Sequence, residues 1–136
     1  MIDSYIIPEG LLYTKEHEWI KQVGTSFLVG ITEYAVKMLN DIVYVNLPQI
    51  GASLKSNDVF GQVESVKTVS DLYMPVSGKV LKVNSRLTQT PEVLGSSPYG
   101  DGWMLEISSD AFIEESKQLL NAKSYSDYIA EVKASE

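Results

Sequence analysis

Apolar and polar positions alternate in short runs along most of the chain, and turn-forming residues separate the runs. From Leu11 to Ile31, two β-rich stretches, LLYTKEHEWIKQ and TSFLVGI, flank Val23-Gly24, a hairpin signal that joins two strands. Thr32 is then placed to cap a short helix carrying Val36 and Leu39 on one face, with Ala35 three residues after the cap. Asn40 follows where a helix end tolerates left-handed dihedrals. DIVYVNLP alternates Ile42, Tyr44 and Asn46 against Val43, Val45 and Leu47, a strand that Pro48 and Gly51 terminate. VFGQVESVKTV and LYMPVSGKVLKVN are further β-rich stretches, the second broken at Ser77-Gly78, and Trp103 to Ile107 reads as a last strand. Strands recurring about every ten residues favour a β-sandwich or flattened barrel over an α/β layout. After Ile107 the period becomes helical. Ser109 or Asp110 caps a helix that turns Phe112, Leu119 and Leu120 to the sheet, and Ser124 or Ser126 starts a second containing Tyr128 and Val132.

Size and charge narrow the class. With 136 residues and 44% hydrophobic content, the chain is expected to form one domain over 1–136. Its parts are an N-terminal extension at 1–10, a central hairpin region at 51–80 and a C-terminal helical segment at 109–136. A formal net charge of -7, with Arg86 the only arginine, argues against nucleic acid and anionic lipid as partners. No stretch approaches the roughly 20 apolar residues of a membrane span. There is no cysteine, so disulfides and thiolate metal sites are excluded and any sulfur redox chemistry must be imported. MIDSYIIPEG lacks the basic and apolar regions of a leader, which leaves a cytoplasmic chain or an already processed one.

No catalytic residue or metal site emerges. His17 is the only histidine, and a strand through it would turn it away from Glu16 and Glu18, giving it a packing or hydrogen-bonding role beside Trp19. Ser77-Gly78-Lys79 is followed by Val80 and preceded by Tyr73 where a phosphate loop needs glycine, and no GxSxG is present. Tyr99 and Trp103 read as a turn packed on the core.

Lys67 is different because of its context. It sits between the β-branched Val66 and Thr68, after Glu64 and before the Ser70-Asp71 turn signal, on or beside a hairpin. Those neighbours let strand character continue through Lys67, and composition alone does not single it out among the lysines. The run from Gly51 to Lys67, of pattern GxxLKxxDVxGxVESVK, resembles the modification hairpin of lipoyl and biotinyl carriers, and Met74-Pro75-Val76-Ser77-Gly78 resembles the turn that follows it. Glu64-Ser65-Val66-Lys67, followed by Ser70-Asp71, is similar to the glycine cleavage H-protein family in particular. Further motifs agree: Tyr13 with His17-Glu18-Trp19, Gly30-Ile31-Thr32, Asp41-Ile42-Val43 before Leu47-Pro48, and Ser97-Pro98-Tyr99-Gly100 with Gly102-Trp103-Met104. The resemblance covers about residues 11 to 130. Two positions depart from it: Asn40, where the family usually has glycine, and Gly95, where it tends to have asparagine in the loop before Ser97.

The resemblance implies a mainly β fold, a flattened sandwich or barrel of the lipoyl-carrier (hammerhead) type with a short internal helix and C-terminal helices. It implies lipoate joined through an amide to Lys67, on a carrier that is not itself an enzyme. That carrier would move the aminomethyl group of glycine from glycine decarboxylase to an aminomethyltransferase, and electrons to dihydrolipoyl dehydrogenase, after lipoyl-attaching enzymes have loaded it. Glu18 and Asp71 match family positions that hold the loaded arm, and Glu16 stands where relatives have a small polar residue in the same contact. The expected compartment is the cytoplasm for a bacterial chain and the mitochondrial matrix for a processed eukaryotic one. Two alternatives remain open: a relay donating lipoyl groups to other enzymes, and a β-sandwich binding protein whose Lys67 is never modified.

Overall fold

The computed structural model describes residues 5–135. Among these residues nine strands occur in chain order: β1 Leu12–Tyr13, β2 Glu18–Val23, β3 Ser26–Ile31, β4 Ile42–Asn46, β5 Ser53–Leu54, β6 Val59–Ser65, β7 Val69–Tyr73, β8 Gly78–Val83 and β9 Leu105–Ser108. Five helices accompany them: α1 Glu33–Leu39, α2 Arg86–Gln89, α3 Glu92–Ser96, α4 Phe112–Glu115, which runs into a 3-10 turn at Ser116–Gln118, and α5 Ala122–Ala134. Six strands form one antiparallel sheet in the order β1-β2-β3-β9-β8-β5, and three form another in the order β4-β6-β7.

The two sheets share one hydrophobic core, as a flattened sandwich requires. Ile20, Val29, Val80 and Ile107 from the larger sheet meet Val45, Val63 and Leu72 from the smaller, with Leu87 and Leu94 of α2 and α3 completing the same cluster. A second, aromatic cluster gathers Tyr13, Trp19, Tyr34 and the α5 residues Ala122, Tyr125 and Ile129, whose spacing places them on one helix face. Tyr13 stacks on Tyr125 at 4.7 Å between ring centroids. Trp19 donates its indole N–H to the Pro98 carbonyl at 3.1 Å, and Tyr99 gives its hydroxyl to the Ile6 carbonyl, so the Pro98-Tyr99 turn is packed down rather than presented. Among the described residues, no helix is long and apolar enough to cross a membrane.

Local sequence signals place several elements well. Thr32 caps α1, its hydroxyl accepting from the Ala35 amide at 3.3 Å, and Gly24, with φ of 63°, turns β2 into β3. Elsewhere neighbours distant in sequence redirect the chain. The first β-rich run splits, because Thr14–His17 closes a turn in which His17 has φ of 76°; the strand alternation expected to govern His17 therefore does not apply. Asn40 has φ of 71° but ψ of -125°, outside the ordinary left-handed well. Gly95 lies inside α3, not in a loop. Helices α2 and α3 are additional to the single internal helix expected.

At the C-terminal end, Phe112 does face the larger sheet, stacked on Phe27 at 4.3 Å, but Leu119 and Leu120 are not helical. Leu120 instead exchanges backbone hydrogen bonds with Tyr13, extending the sheet by a bridge. That bridge ends the first helical segment early. Asn121, rather than Ser124 or Ser126, caps α5, its side-chain oxygen accepting from the Ser124 amide at 2.8 Å.

Candidate functional site

Strands β6 and β7 form an antiparallel hairpin with Lys67 at its tip. The β-branched Val66 and Thr68 do not keep the chain extended, because Ser65 closes the turn through both its amide and its hydroxyl. Its amide donates to the Thr68 carbonyl at 2.8 Å, and its hydroxyl accepts from the Lys67 and Thr68 amides at 3.3 and 3.2 Å. The Val66 amide then donates to the Asp41 carbonyl at 3.0 Å, tying the tip to the start of β4. Turn geometry fixed by a nearly buried serine outweighs strand propensity here. Lys67 is exposed, and among the described residues its ammonium has no hydrogen-bond or ion-pair partner. The Ser70-Asp71 signal marks strand, not turn: Ser70 pairs with Val63 and Asp71 with Gln62. Asp71 is exposed and accepts from the Gln62 amide at 3.3 Å, while Asn46 donates to the Gln62 side-chain oxygen at 2.9 Å. Glu64, half-buried, lies one pair nearer the tip, opposite Tyr44 and Val69.

Beside the hairpin lies a cleft of about 270 Å³. The turn at Glu16-His17 forms one side and Thr68 to Leu72 another, while Ile31, Ala35, Met38 and Leu39 supply an apolar wall from β3 and α1. Glu16 and Asp71 are thus brought to one cavity from positions 55 residues apart. Glu18 is not among the residues lining it. With 1% of its surface exposed, Glu18 accepts from the Thr14 hydroxyl at 2.6 Å and from the Tyr73 amide at 3.2 Å, and so joins the larger sheet to the free edge of β7. Burial pushes its carboxyl up to about 7, against the pull of those hydrogen bonds, and the Glu16 carboxylate adds to the rise.

His17 packs and hydrogen-bonds within the aromatic cluster that also contains Trp19, its neighbours there being Tyr125 and Tyr34. Its Nδ1 is 2.8 Å from the Tyr125 hydroxyl, which is in turn 2.7 Å from the Thr32 hydroxyl, and its ring lies 4.7 Å from that of Tyr34. Burial lowers its pKa to about 4, so the imidazole is neutral at pH 7. Among the described residues, no group of three or more histidines and carboxylates is arranged to hold a metal ion. The α1 wall and the Thr14 and Tyr73 partners of Glu18 were not singled out from sequence; only the one-sided pattern of α1 hinted at a face available to a ligand.

A two-sheet β-sandwich whose hairpin tip carries an exposed lysine with no partner among the described residues, beside a cleft that Glu16 and Asp71 help to line, has the architecture of a carrier domain. Comparison with known proteins specifies which kind. Residues 11–132 match the model of the glycine cleavage H-protein family. The chain is 50% identical over 122 residues to the glycine cleavage system H protein of Bacillus cytotoxicus, covering 89% of this chain and 94% of that one. It is 50% identical over 127 residues to that of Symbiobacterium thermophilum, covering 92% and 97%. A crystal structure of a glycine cleavage system H protein from Mycobacterium marinum superposes with a TM-score of 0.81 at 38% identity, over 93% of this chain and 99% of that one. The chain belongs to the glycine cleavage H-protein family, the lipoyl carriers of the glycine cleavage system, and it acts as a non-catalytic carrier in that system.

Proposed function

We propose that Lys67 is the lipoyl attachment point, and that the chain shuttles the aminomethyl group of glycine from glycine decarboxylase to an aminomethyltransferase, and electrons to dihydrolipoyl dehydrogenase, in a bacterial cytoplasm. The observation that carries this reading is the exposed Lys67 amine, which has no partner among the described residues, at a turn braced by Ser65 and Asp41. The residues fit the group: the amine is exposed and available for an amide bond, the adjoining cleft has an apolar wall for a hydrocarbon arm, and two carboxylates, Glu16 and Asp71, help to line it. When attached, lipoate supplies a disulfide that is reductively aminomethylated and later reoxidised, chemistry that a chain without cysteine cannot supply itself.

The chain's own contributions follow from geometry. The hairpin fixes the base of the arm, so that its free end samples a small volume at a high effective concentration near any docked enzyme. Glu16 and Asp71 attract a protonated amine into the cleft, and Ala35, Met38 and Leu39 exclude water from it. Glu18 acts from behind, by locking the Tyr73 amide at the edge of β7 and so fixing the strand that carries Asp71. The bacterial sources of the similar H proteins support the compartment.

Intact-mass measurement of protein produced with lipoate supplied tests the reading. A lipoyl-sized increment located on Lys67 and lost in Lys67→Arg is the expected result. Unmodified protein from a host that lipoylates a control carrier refutes it.

A further inference from the structure

The smaller sheet turns an unusual face to solvent. On it, β-pairing sets Tyr44, Glu64 and Val69 side by side across the three strands, immediately below the turn that carries Lys67. Tyr44 is 47% exposed, Val69 58% and Val66, next to the lysine, 74%; Val43, at the bulge in β4, is 53% exposed. Exposed apolar side chains occur singly on most proteins, but four gathered around one lysine make a patch of the kind that marks an interface. Below them the face becomes polar, with Asn46, Gln62 and Asp71 hydrogen-bonded in a row. Tyr44 and Val69 flank the half-buried Glu64, so the exposed apolar groups surround one carboxylate with Asp71 below it, and the sign of the surface fits a partner with cationic groups.

The occupant follows from the state of Lys67. Enzymes that act on a loaded carrier can bind the arm itself, whereas an enzyme that loads it meets a bare lysine, one of ten in the chain, and must find it from the surrounding surface. Resting on the lipoyl-carrier reading above, we propose that Tyr44, Val66 and Val69, with Val43 beside them, form the surface by which a lipoyl-attaching enzyme recognises the unmodified chain and seats Lys67 at its active site. In the step so positioned, the uncharged Lys67 amine attacks the carbonyl of lipoyl adenylate, a mixed anhydride of lipoate and AMP. The amide C–N bond forms, the acyl–phosphate bond breaks, AMP leaves and the amine loses a proton. Docking on this patch raises the rate at limiting carrier by binding the chain, and leaves the chemistry to the enzyme.

The test uses the full-length unmodified chain, a purified lipoate ligase, ATP and lipoate, with modification followed by intact mass over a range of carrier concentrations. In the double variant Tyr44→Ser, Val69→Thr, and separately in Val66→Thr, kcat/KM for modification is expected to fall about tenfold and about threefold, with kcat at saturating carrier retained. Val→Thr keeps side-chain shape and strand propensity, and an unchanged melting temperature checks the fold. Ile113→Thr, which removes an exposed apolar group from α4 beside the larger sheet, is expected to be modified at the wild-type rate. Modification of the hairpin variants at the wild-type rate overturns the proposal, as does an equal loss in Ile113→Thr. Unchanged lipoylation with slower loading by glycine decarboxylase would assign the surface to that enzyme and overturn it too. Wild-type chain left unmodified, while a control carrier is lipoylated, sinks the lipoyl-carrier reading and this surface with it.

Discussion

Burial of Glu18 makes the fold's stability depend on pH in a direction opposite to that of most carboxylates. The carboxyl rises from its ordinary value of 4.5 to about 7 in the folded state, chiefly because it is desolvated. Below pH 4.5 it is neutral in both states and contributes no difference. Between 4.5 and 7 the unfolded chain has released the proton while the folded chain keeps it, so the folded state binds more protons and stability falls as pH rises. Above 7 the full cost is present. About 1.4 kcal/mol per pH unit over that window gives a loss of about 3 kcal/mol. His17 runs the other way, because its lowered pKa removes stability as pH falls from 6.5 towards 4, and the two flatten the wild-type profile between them. The variant Glu18→Gln isolates the carboxyl. Its amide keeps one acceptor for the Thr14 hydroxyl or the Tyr73 amide and loses the other, a deficit of about 1 kcal/mol at low pH. Urea unfolding at intervals from pH 4.5 to 8 should therefore show the variant less stable than wild type by about 1 kcal/mol at the acid end and more stable by about 2 kcal/mol at pH 8. A stability difference that stays constant over this range would refute the account of Glu18 as a desolvated carboxyl.

Two further substitutions probe the frame around the site. A Cβ on Gly30 would stand 2.6 Å from the buried Trp19 ring, so Gly30→Ala should cost about 2 kcal/mol, read as a lower urea midpoint with an unchanged slope. Asn40→Gly relieves a side chain held at φ 71° and ψ -125°, and should raise stability by about 1 kcal/mol in the same assay without altering modification of Lys67.

The family motifs were legible as short strings, and the comparisons agree with the membership those strings implied. The position of Lys67 on the fold was less so. Read locally, Val66 and Thr68 continue a strand; the tip exists because the Ser65 hydroxyl and the Asp41 carbonyl, 25 residues before Val66, take up the turn's amides. The three acidic residues matched to the arm contact also separated on folding, with Glu16 and Asp71 reaching one cleft while Glu18 went into the interior.

What could be read from the chain alone shares one property: it depends on residues a few positions apart. Thr32 capping α1 and Gly24 turning β2 into β3 are of this kind, because caps and tight turns are set by local geometry, whereas the alternation expected along β4 breaks at the bulge that leaves both Val43 and Tyr44 exposed. Features needing partners far along the chain escaped it. The Tyr13–Leu120 bridge that shortens the C-terminal helix, the Tyr73 amide that receives Glu18 and the row of Tyr44, Glu64 and Val69 beneath Lys67 all join separate segments. Sheet pairing and burial bring those segments together, and periodicity within any one of them carries no record of which partner it will meet.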